Sequence, residues 1–531
     1  MGQAIPMGRR SILATGAASL AVPSIARAQA VRTLKFVPYG DLSALDPILT
    51  SNYAVRNHAL MVFDTLYGVD DQNIPQPQMV AGHVVDDDGK TWTLTLRDGM
   101  RFHDATPVLA RDVVASIRRW AVRDLLGGML METTAELSAP DDRTVKFRLK
   151  APFPLLPYAC GKMVGNVLAI MPERLAATAP TTAIPEVIGS GPFRYLPAER
   201  LQGARNVYAR FDGYVPRADG VTSRLAGPKI AHFDRVEWLT MPDPATAVNA
   251  LQQGEVDWVE NPLADLVPGL RKRAGIATQI MDPSGYYRYV RLNHLVPPFD
   301  KPAVRRAALA AITQSDVLTA ITGTDTSLWH PGVGFFSPDS AMASTAGMAA
   351  VKDPADLARA RKLLQDSGYN GEKTVFMAAG TVHTLNATAE VTVDAWRKIG
   401  FNAEYQPLEI AAAIQRLNNR GPIEQGGWNA SADAYAGVVA SDPVLFNEMR
   451  AVGASGTYGW PDIPALVQLR TEFLAATDLP ARQAICRKMQ EICFDQVPCI
   501  PVGVTYQPTA FNSALTGVLK GLALFYNVKR A

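Results

Sequence analysis

The chain has 531 residues, and its 52 Lys and Arg against 50 Asp and Glu give a formal net charge of +2 at pH 7. A balance this close to neutral disfavours binding to nucleic acid or to an anionic membrane surface, because both need clustered cations. The length exceeds what one hydrophobic core usually serves, so two or more domains are predicted.

The first 30 residues have the three parts of an export signal. Arg9-Arg10 form a basic start, a weakly apolar stretch runs from Ala14 to Ile25, and Ala28-Gln29-Ala30 is a small-x-small cleavage site. The paired arginines followed by Ile12-Leu13 are typical of the twin-arginine signal for folded proteins, with an ordinary secretory signal as the alternative. We therefore expect a cleaved signal over residues 1–30 and a soluble periplasmic protein.

The segments after residue 30 interleave strand and helix patterns without a fixed repeat, which favours an α/β fold. Gly189-Ser190-Gly191-Pro192 predicts a tight turn among them. In chain order we predict strand 33–38, helix 56–67, strand 90–97, helix 110–120, strands 143–149, 193–196 and 235–240, helices 244–253, 301–312 and 354–366, strand 373–377, helix 386–398, strand 401–405, helix 462–492 and strand 499–504.

Four cysteines leave the disulfide content open. Cys486 and Cys493 lie two helical turns apart, roughly 10 Å by helix rise, which is too far for a bridge. A bridge from Cys493 to Cys499 is geometrically allowed, and four buried apolar thiols, including Cys160, are the alternative that we favour.

Seven short motifs follow one another in order between residues 45 and 501. They are Leu45-Asp46-Pro47, Phe63-Asp64-Thr65-Leu66, Gly89–Trp120, Gly189-Ser190-Gly191-Pro192-Phe193, Gly254-Glu255-Val256-Asp257, Asn293 through Ala308, and Val497–Pro501. Together they resemble the dipeptide/oligopeptide-binding family, family 5, of the periplasmic solute-binding proteins of ABC transporters. One departure is Ala105, where the family usually has glycine; alanine resists a positive φ, so we expect a differently built turn.

The resemblance implies a two-lobed periplasmic-binding-protein fold with an extra subdomain on lobe I. By position, lobe I takes residues 31–66, 187–290 and 508–531, the subdomain takes 67–186, and lobe II takes 291–507. A peptide or similar small polar solute would bind in the cleft between the lobes, and closure about the two crossings near residues 290 and 507 would bury it. The implied partners are the ABC permease and ATPase subunits at the inner membrane, the implied state is a monomer, and no cofactor is implied.

The first candidate binding residues follow Gly427-Trp428. In peptide-binding relatives an aspartate shortly after such a pair binds the amino group of the ligand. The spacing departs here, so Asp433 and Asp442 both remain candidates, and Asp442 has a helix cap before Pro443 as its alternative role. Trp428 is either a stacking wall for the ligand or core; we favour ligand contact.

Aromatic residues near the expected cleft complete the candidate site. Tyr39 and Tyr53 flank the Asp46 loop, Tyr286 precedes the crossover to lobe II, and Trp460 lies in a loop of lobe II. Ordinary packing is the alternative role for Tyr39 and Tyr53, and Trp460 is expected to be exposed in its loop. Asp46 itself is expected to order its loop by accepting backbone amides.

Two other functions compete with peptide capture. Some members of the resembled family bind a metal chelate or haem, which would bring His or Arg into the cleft. An exported hydrolase is less favoured, because the chain has no G-x-S-x-G or H-E-x-x-H motif and its seven histidines are dispersed. We therefore expect no catalytic residues and no resident metal.

Overall fold

The computed structural model describes residues 1–2 and 31–531 of the chain. The predicted export signal over residues 1–30 lies outside the described residues, apart from the first two. None of the described helices is long and apolar enough to cross a membrane.

Strands make up two large sheets and three small ones. In chain order they are β1 (Thr33–Val37), β2 (Tyr67–Val69), β3 (Pro75–Pro77), β4 (Val80–Asp86), β5 (Thr91–Leu96), β6 (Thr134–Ser138), β7 (Thr144–Leu149), β8 (Phe193–Tyr195), β9 (Arg205–Arg210), β10 (Arg235–Leu239), β11 (Trp258–Val259), β12 (Ile276–Ile280), β13 (Tyr286–Leu292), β14 (Trp329–His330), β15 (Thr374–Ala379), β16 (Ala403–Leu408), β17 (Ala430–Ala436), β18 (Cys499–Thr505), β19 (Pro508–Asn512), β20 (Leu515–Thr516) and β21 (Lys529–Arg530).

Helices connect these strands and cover the sheets. The α-helices are α1 (Tyr53–Val62), α2 (Ala110–Ala121), α3 (Leu125–Thr133), α4 (Leu156–Ala159), α5 (Glu173–Ala176), α6 (Pro244–Gln253), α7 (Val267–Arg271), α8 (Pro302–Ala310), α9 (Gln314–Thr322), α10 (Leu357–Asp366), α11 (His383–Ile399), α12 (Ile410–Leu417), α13 (Asn447–Arg450), α14 (Pro464–Ala475) and α15 (Leu479–Gln496). Short 3₁₀ helices are Pro197–Glu199, Ala264–Leu266, Thr326–Leu328, Met348–Ala350, Ile423–Gln425, Gly437–Ser441 and Gly453–Ser455.

Each large sheet forms the core of one lobe. Lobe I has the seven-stranded order β12-β19-β11-β1-β10-β9-β8, in which β1 runs parallel to β10 and to β11. Lobe II has the six-stranded order β14-β18-β13-β17-β15-β16, with β15 parallel to β16 and to β17. The subdomain is built on the antiparallel sheet β4-β5-β7-β6.

Two predicted boundaries differ from the observed elements. The division between lobes that we placed at residue 290 falls inside β13, whose partners among the described strands are β17 and β18; a division at Tyr286 would keep this sheet whole. The single helix predicted over 462–492 is two helices, α14 and α15. The break occurs because Asp478 accepts the backbone N–H of Ala481 and starts a new helix, with Pro480 in its first turn.

Two segments cross between the lobes, side by side. One joins β12 to β13 over residues 281–285, and the other joins β18 to β19 over residues 506–507. Gly285 has a φ of +62°, and a Cβ there would lie 2.5 Å from the carbonyl oxygen of Thr505. The N–H of Gly437 also donates to the carbonyl of Gly285 at 2.7 Å. Only glycine therefore allows the two crossings to approach this closely.

The Gly189-Ser190-Gly191 motif and the Phe102-His103 turn meet at the end of α1. A Cβ on Gly189 would lie 2.0 Å from the carbonyl oxygen of Val62. His103 accepts the Gly189 N–H at Nδ1 (3.3 Å), and its Nε2 lies 3.0 Å from the carbonyl of Gly191, which fixes a neutral ring with the proton on Nε2. Burial lowers the pKa of His103 to about 4, so the ring stays neutral at physiological pH.

The turn at Ala105 differs from our expectation. Ala105 adopts a positive φ of +68°, in the left-handed region that favours glycine, although we expected alanine to avoid it. The Asp104 carboxylate holds it by accepting the backbone N–H and the hydroxyl of Thr106 at 3.1 and 2.6 Å.

Two buried aspartates form ion pairs inside the fold, and the cysteine thiols are buried as well. Asp46 accepts the N–H of Ile184 and pairs with the buried Arg119 at 2.7 Å, which orders the loop before α1. Asp64 pairs in the same way with Lys229 at 2.6 Å. All four cysteines are free and buried.

Candidate functional site

Two adjoining cavities lie between lobe I and lobe II, and the larger one also borders the subdomain. The larger cavity has a volume of about 340 Å³, and the smaller cavity has a volume of about 60 Å³. Tyr53 and Arg56 of α1 and Ala436 of β17 line both cavities. Because α1 belongs to lobe I and β17 to lobe II, both cavities lie between the lobes.

The larger cavity has walls from all three parts of the molecule. Lobe I contributes the start of α1, the subdomain contributes Arg123, Lys162 and Asn166, and lobe II contributes Tyr435 and Asn447. The Tyr435 ring is stacked against Tyr289 with 5.3 Å between ring centroids and 15° between planes, so its position is fixed. The volume is in the range of small-molecule sites.

Three of the predicted tyrosines line the smaller cavity. Tyr39, Tyr53 and Tyr286 come together there, and the ring centroids of Tyr53 and Tyr286 are 6.1 Å apart. Tyr53 comes from lobe I and Tyr286 from the first residue of β13, so this contact joins the lobes directly. Tyr39 is well exposed and forms the rim.

Two carboxylates also line the smaller cavity. Glu260 accepts the backbone N–H of Tyr39 at 2.7 Å and the side-chain amide of Asn57 at 2.9 Å. Asp282 accepts the N–H and hydroxyl of Ser284 at the lobe crossing. Burial raises the pKa of both carboxyl groups. A cationic group entering this cavity would favour their ionised forms.

Arg56 lies in the wall shared by the two cavities. Its guanidinium stands 4.6 Å from the centroid of the Tyr53 ring. Its Nε is buried without a hydrogen-bond partner, and no ion pair within 4.0 Å is formed with any described carboxylate. Arg56 therefore keeps donor capacity that the described protein does not use.

Asp433 is held by a buried arginine of the neighbouring strand. Arg291 pairs with Asp433 at 2.7 Å and with Glu448 at 3.0 Å, and it is only 3% exposed, whereas Asp433 is 34% exposed. The register of β13 and β17, with Tyr289 opposite Asp433, places these side chains on one face. The charge of Asp433 is thus already compensated inside lobe II.

Asp442 caps a turn, although no helix begins there. Its Oδ1 accepts the N–H groups of Val444 and Leu445 at 2.8 and 3.0 Å. Burial raises the pKa of Asp442 to about 6. The Asp442 carboxyl group also lies close enough to the Tyr158 hydroxyl of the subdomain to help raise the pKa of that hydroxyl. Asp442 lines neither of the two cavities, so it contributes to the contact between the subdomain and lobe II.

Trp428 and Trp460 lie together in a separate apolar cluster with Met377. They are 0% and 3% exposed, with 6.1 Å between ring centroids, and neither lines the two cavities. Gly427 permits this packing, because a Cβ there would lie 2.0 Å from the carbonyl oxygen of Gly421. The Gly-Trp pair is thus packed inside lobe II and borders neither cavity.

Sequence reasoning missed the charged lining residues. Arg56 carried a usable signal, since it is a cation in the first turn of α1, where the helix dipole disfavours positive charge. No local sequence pattern marks the other charged lining residues. They reach the cavities because the fold brings together segments more than 60 residues apart in sequence, and they are Glu260, Asp282 and Arg123.

Comparison with known proteins identifies the family. The family model described as "Bacterial extracellular solute-binding proteins, family 5 Middle" matches residues 75–453. A relative named "Probable peptide ABC transporter periplasmic-binding protein y4tO", from Sinorhizobium fredii, is 35% identical over 530 residues, which cover 98% of each chain. The chain belongs to this family. The resemblance predicted from the seven motifs is thereby confirmed.

More distant members support the same fold. "Glutathione-binding protein GsiB" of Escherichia coli K12 is 25% identical over 530 residues, covering 96% of both chains. The Helicobacter pylori periplasmic binding protein DppA, solved with the peptide STSA, has a TM-score of 0.75 at 21% identity, covering 94% of this chain and 98% of its own. AgaA from A. tumefaciens R10, solved with agropinic acid, has a TM-score of 0.74 at 21% identity, covering 94% and 99%. The predicted α/β fold with two lobes is confirmed.

Residues 31–531 contain no group of three or more His, Cys, Asp or Glu side chains placed to hold a metal ion.

Proposed function

We propose that this family member is the solute-binding component of an ABC importer and that it captures a short peptide or a similar small polar solute between its lobes. The observation that carries the proposal is the larger cavity, which has walls from lobe I, the subdomain and lobe II. A solute seated there contacts all three parts at once. The name of the relative at 35% identity supports a peptide as the solute.

The proposed solute contacts are Tyr53, Tyr286 and Tyr39 around the smaller cavity and Arg56 and Tyr435 around the larger one. Peptides carry both charges, and the two cavities offer Glu260 and Asp282 on one side of Arg56 and cationic side chains on the other. Trp428, Trp460, Asp433 and Asp442 support the shape of lobe II in this proposal.

Capture proceeds by closure of the lobes about the two crossings. An open form admits the solute, and the closed form is stabilised because only there do both lobes contact it. The solute shifts the equilibrium by its differential affinity for the closed form, commonly about 1–3 kcal/mol of coupling. The contact between Tyr53 and Tyr286 would form on closure.

The remaining parts of the proposal concern the cell. The signal over residues 1–30, of twin-arginine type, exports the folded monomer to the periplasm and is cleaved there. The closed, loaded protein docks on a membrane permease with its ATPase and performs no chemistry on the solute.

Two measurements test the proposed function. Mass spectrometry of small molecules released from natively purified protein should identify peptides. Small-angle X-ray scattering should then show a smaller radius of gyration with the identified solute than without it. A tightly bound solute that left the radius of gyration unchanged would contradict closure, and saturable turnover of a peptide or ester, lost on mutation of the cavity, would contradict a pure binding role.

A further inference from the structure

Residues 437–445 of lobe II follow β17 and lead toward α13. They contain the 3₁₀ helix Gly437–Ser441 and the turn that Asp442 caps. This is also where the spacing after Gly427-Trp428 departs from that of the resembled family. None of the proposed solute contacts falls in this segment, so its packing has another role.

The segment is fastened to lobe II by hydrogen bonds. The N–H of Ser337 donates to the carbonyl of Ala440 at 2.9 Å, and the Ser340 hydroxyl donates to the carbonyl of Ser441 at 2.6 Å. Both donors belong to the connection between β14 and α10 of lobe II. The segment therefore moves with lobe II when the lobes separate.

Apolar side chains of the segment pack against the other two parts of the molecule. Val438 is 2% exposed and belongs to the buried cluster that fills lobe I and extends into the subdomain through Met163 and Val164. Among the described members of this cluster, the buried residues that come from lobe II are Ala436 and Val438. Val439 is partly buried and packs against the same cluster. Separation of the lobes would expose Val438 to water, which is unfavourable for an apolar side chain.

A polar contact adds to the apolar one. Tyr158 of the subdomain helix α4 packs against both large buried clusters. Burial raises the pKa of the Tyr158 hydroxyl well above its ordinary value, and the charge of Asp442 and a hydrogen bond to the Asp442 carboxylate raise it further. The hydroxyl therefore stays protonated and donates to Asp442 across the boundary between the subdomain and lobe II. A charged acceptor makes such a hydrogen bond stronger than a neutral one.

These contacts do not require a solute. Val438, Asp442 and Tyr158 line neither cavity. Val439 and Leu445 of the same segment do line the larger cavity, so the segment closes the interface and the cavity together. The contacts of the segment therefore contribute to the closed form whether or not a solute is bound.

We propose that residues 437–445 form an interlobe clasp, which favours closure of the empty protein and so sets how tightly a solute is retained. The proposal rests on the proposed function, because it presupposes closure about the two crossings. A solute binds the closed form, so its apparent affinity is proportional to the fraction of empty protein that is already closed. A weaker clasp lowers this fraction and the affinity by the same factor, although no solute contact has changed.

Two variants weaken the clasp without changing the lining of either cavity. Loss of one buried CH₂ group changes an equilibrium constant by about fourfold, and Val438→Ala removes two carbons. Allowing for partial cover of the side chain in the open form, we expect the ratio of closed to open empty protein to fall by about three- to tenfold. Tyr158→Phe removes a hydrogen bond to a charged group, and we expect a fall of similar size.

Distances between spin labels measure the two forms directly. Labels are attached through Val221→Cys of lobe I and Lys488→Cys of lobe II, which are exposed positions, whereas the four native thiols are buried. Double electron–electron resonance on protein freed of solute by unfolding and refolding in urea gives the open and closed populations. The same protein with bound Ala-Ala-Ala gives the closed distance, and isothermal titration calorimetry gives the affinity for Ala-Ala-Ala.

Val317→Ala is the matched control. Val317 is fully buried in α9 of lobe II and belongs to a different cluster from Val438. Its replacement removes the same two carbons from the interior of one lobe. Urea unfolding should show a similar loss of stability for both valine variants, whereas the populations and the affinity of Val317→Ala should match those of the wild type.

The outcomes separate the clasp from the proposed function. Populations and affinities that are the same in Val438→Ala, Tyr158→Phe and the wild type overturn the clasp and leave capture by closure intact. A label distance in the wild type that is single and unchanged by bound Ala-Ala-Ala overturns closure itself, and the clasp with it.

Discussion

Replacement of Trp428 tests whether this residue acts through packing or through contact with solute. The side chain is fully buried against Trp460 and Met377 and lines neither cavity. A buried tryptophan removes about 150–250 Å² from water, which at about 25 cal/mol per Å² corresponds to about 4–6 kcal/mol. Trp428→Ala should therefore lower the free energy of unfolding by about 4 kcal/mol, in line with the roughly 3–5 kcal/mol typical of such truncations.

A milder variant separates the apolar ring from its polar atom. The Nε1 of Trp428 is buried and has no partner among the described residues. Trp428→Phe removes this unsatisfied donor while it keeps part of the apolar contact, so we expect a loss of only about 1 kcal/mol.

The assay combines urea unfolding, followed by circular dichroism, with calorimetry of a bound peptide at a temperature where each variant is folded. Trp428→Ala should keep the affinity of the wild type within about twofold. Tyr53→Ala is the contrasting control, because Tyr53 lines both cavities: its affinity should fall more than tenfold with a smaller loss of stability. A Trp428→Phe variant of unchanged stability whose affinity fell tenfold would refute the packing role.

Three further predictions concern pH and backbone strain. Burial raises the pKa of Asp442 from 3.8 to about 6, so ionisation of this carboxyl group lowers the free energy of unfolding as pH rises from about 4 to 6. Asp442→Asn keeps the acceptor for the turn and should be about 3 kcal/mol more stable than the wild type in urea at pH 8, but not at pH 4. Burial lowers the pKa of His58 and His294 to about 3 and that of His103 to about 4. Only the unfolded chain takes up these protons between pH 7 and pH 5, so each of the three histidines lowers the free energy of unfolding by about 2 kcal/mol over this interval. The free energy of unfolding, measured in urea at several pH values between 5 and 7, should fall less steeply with decreasing pH in His58→Gln than in the wild type. Equal pH dependence of the two proteins would contradict a neutral, buried His58. Ala105→Gly should raise the free energy of unfolding by about 0.5–1 kcal/mol by relieving the positive φ, and a destabilised variant would show that the turn is not strained.

The architecture could be predicted because its signals are local. Alternation in the segment 90–97 predicted what is β5, and the motif glycines mark close approaches that no other residue permits, as at Gly189. The break between α14 and α15 was missed although Asp478 and Pro480 form a recognisable helix start.

The candidate site could be predicted only in part, because its geometry depends on long-range contacts. Tyr39, Tyr53 and Tyr286 were predicted from their places beside the loop and the crossing, and the fold brings them to one cavity, where a role in binding stays a prediction. Trp428 was predicted from the Gly-Trp pattern of the resembled family and Trp460 from its place in a loop of lobe II, and both pack against Met377. A tryptophan in a core and a tryptophan in a cleft look alike in sequence.

Asp433 shows why a motif alone cannot assign a ligand contact. An aspartate that binds a cationic ligand must not already be neutralised by the protein. Here Arg291 of lobe II pairs with Asp433 at 2.7 Å and takes the place that a ligand cation would have. Glu448 shares the same guanidinium, and burial raises the pKa of the Glu448 carboxyl group. The charge of Arg291 is therefore compensated by two carboxylates and not by Asp433 alone. Removal of Asp433 should thus disturb the strand pair β13 and β17 before it disturbs solute binding. Because Arg291 is committed to these two carboxylates, a solute must find its cationic partners elsewhere, and Arg56 is one candidate, since its buried Nε has no partner among the described residues.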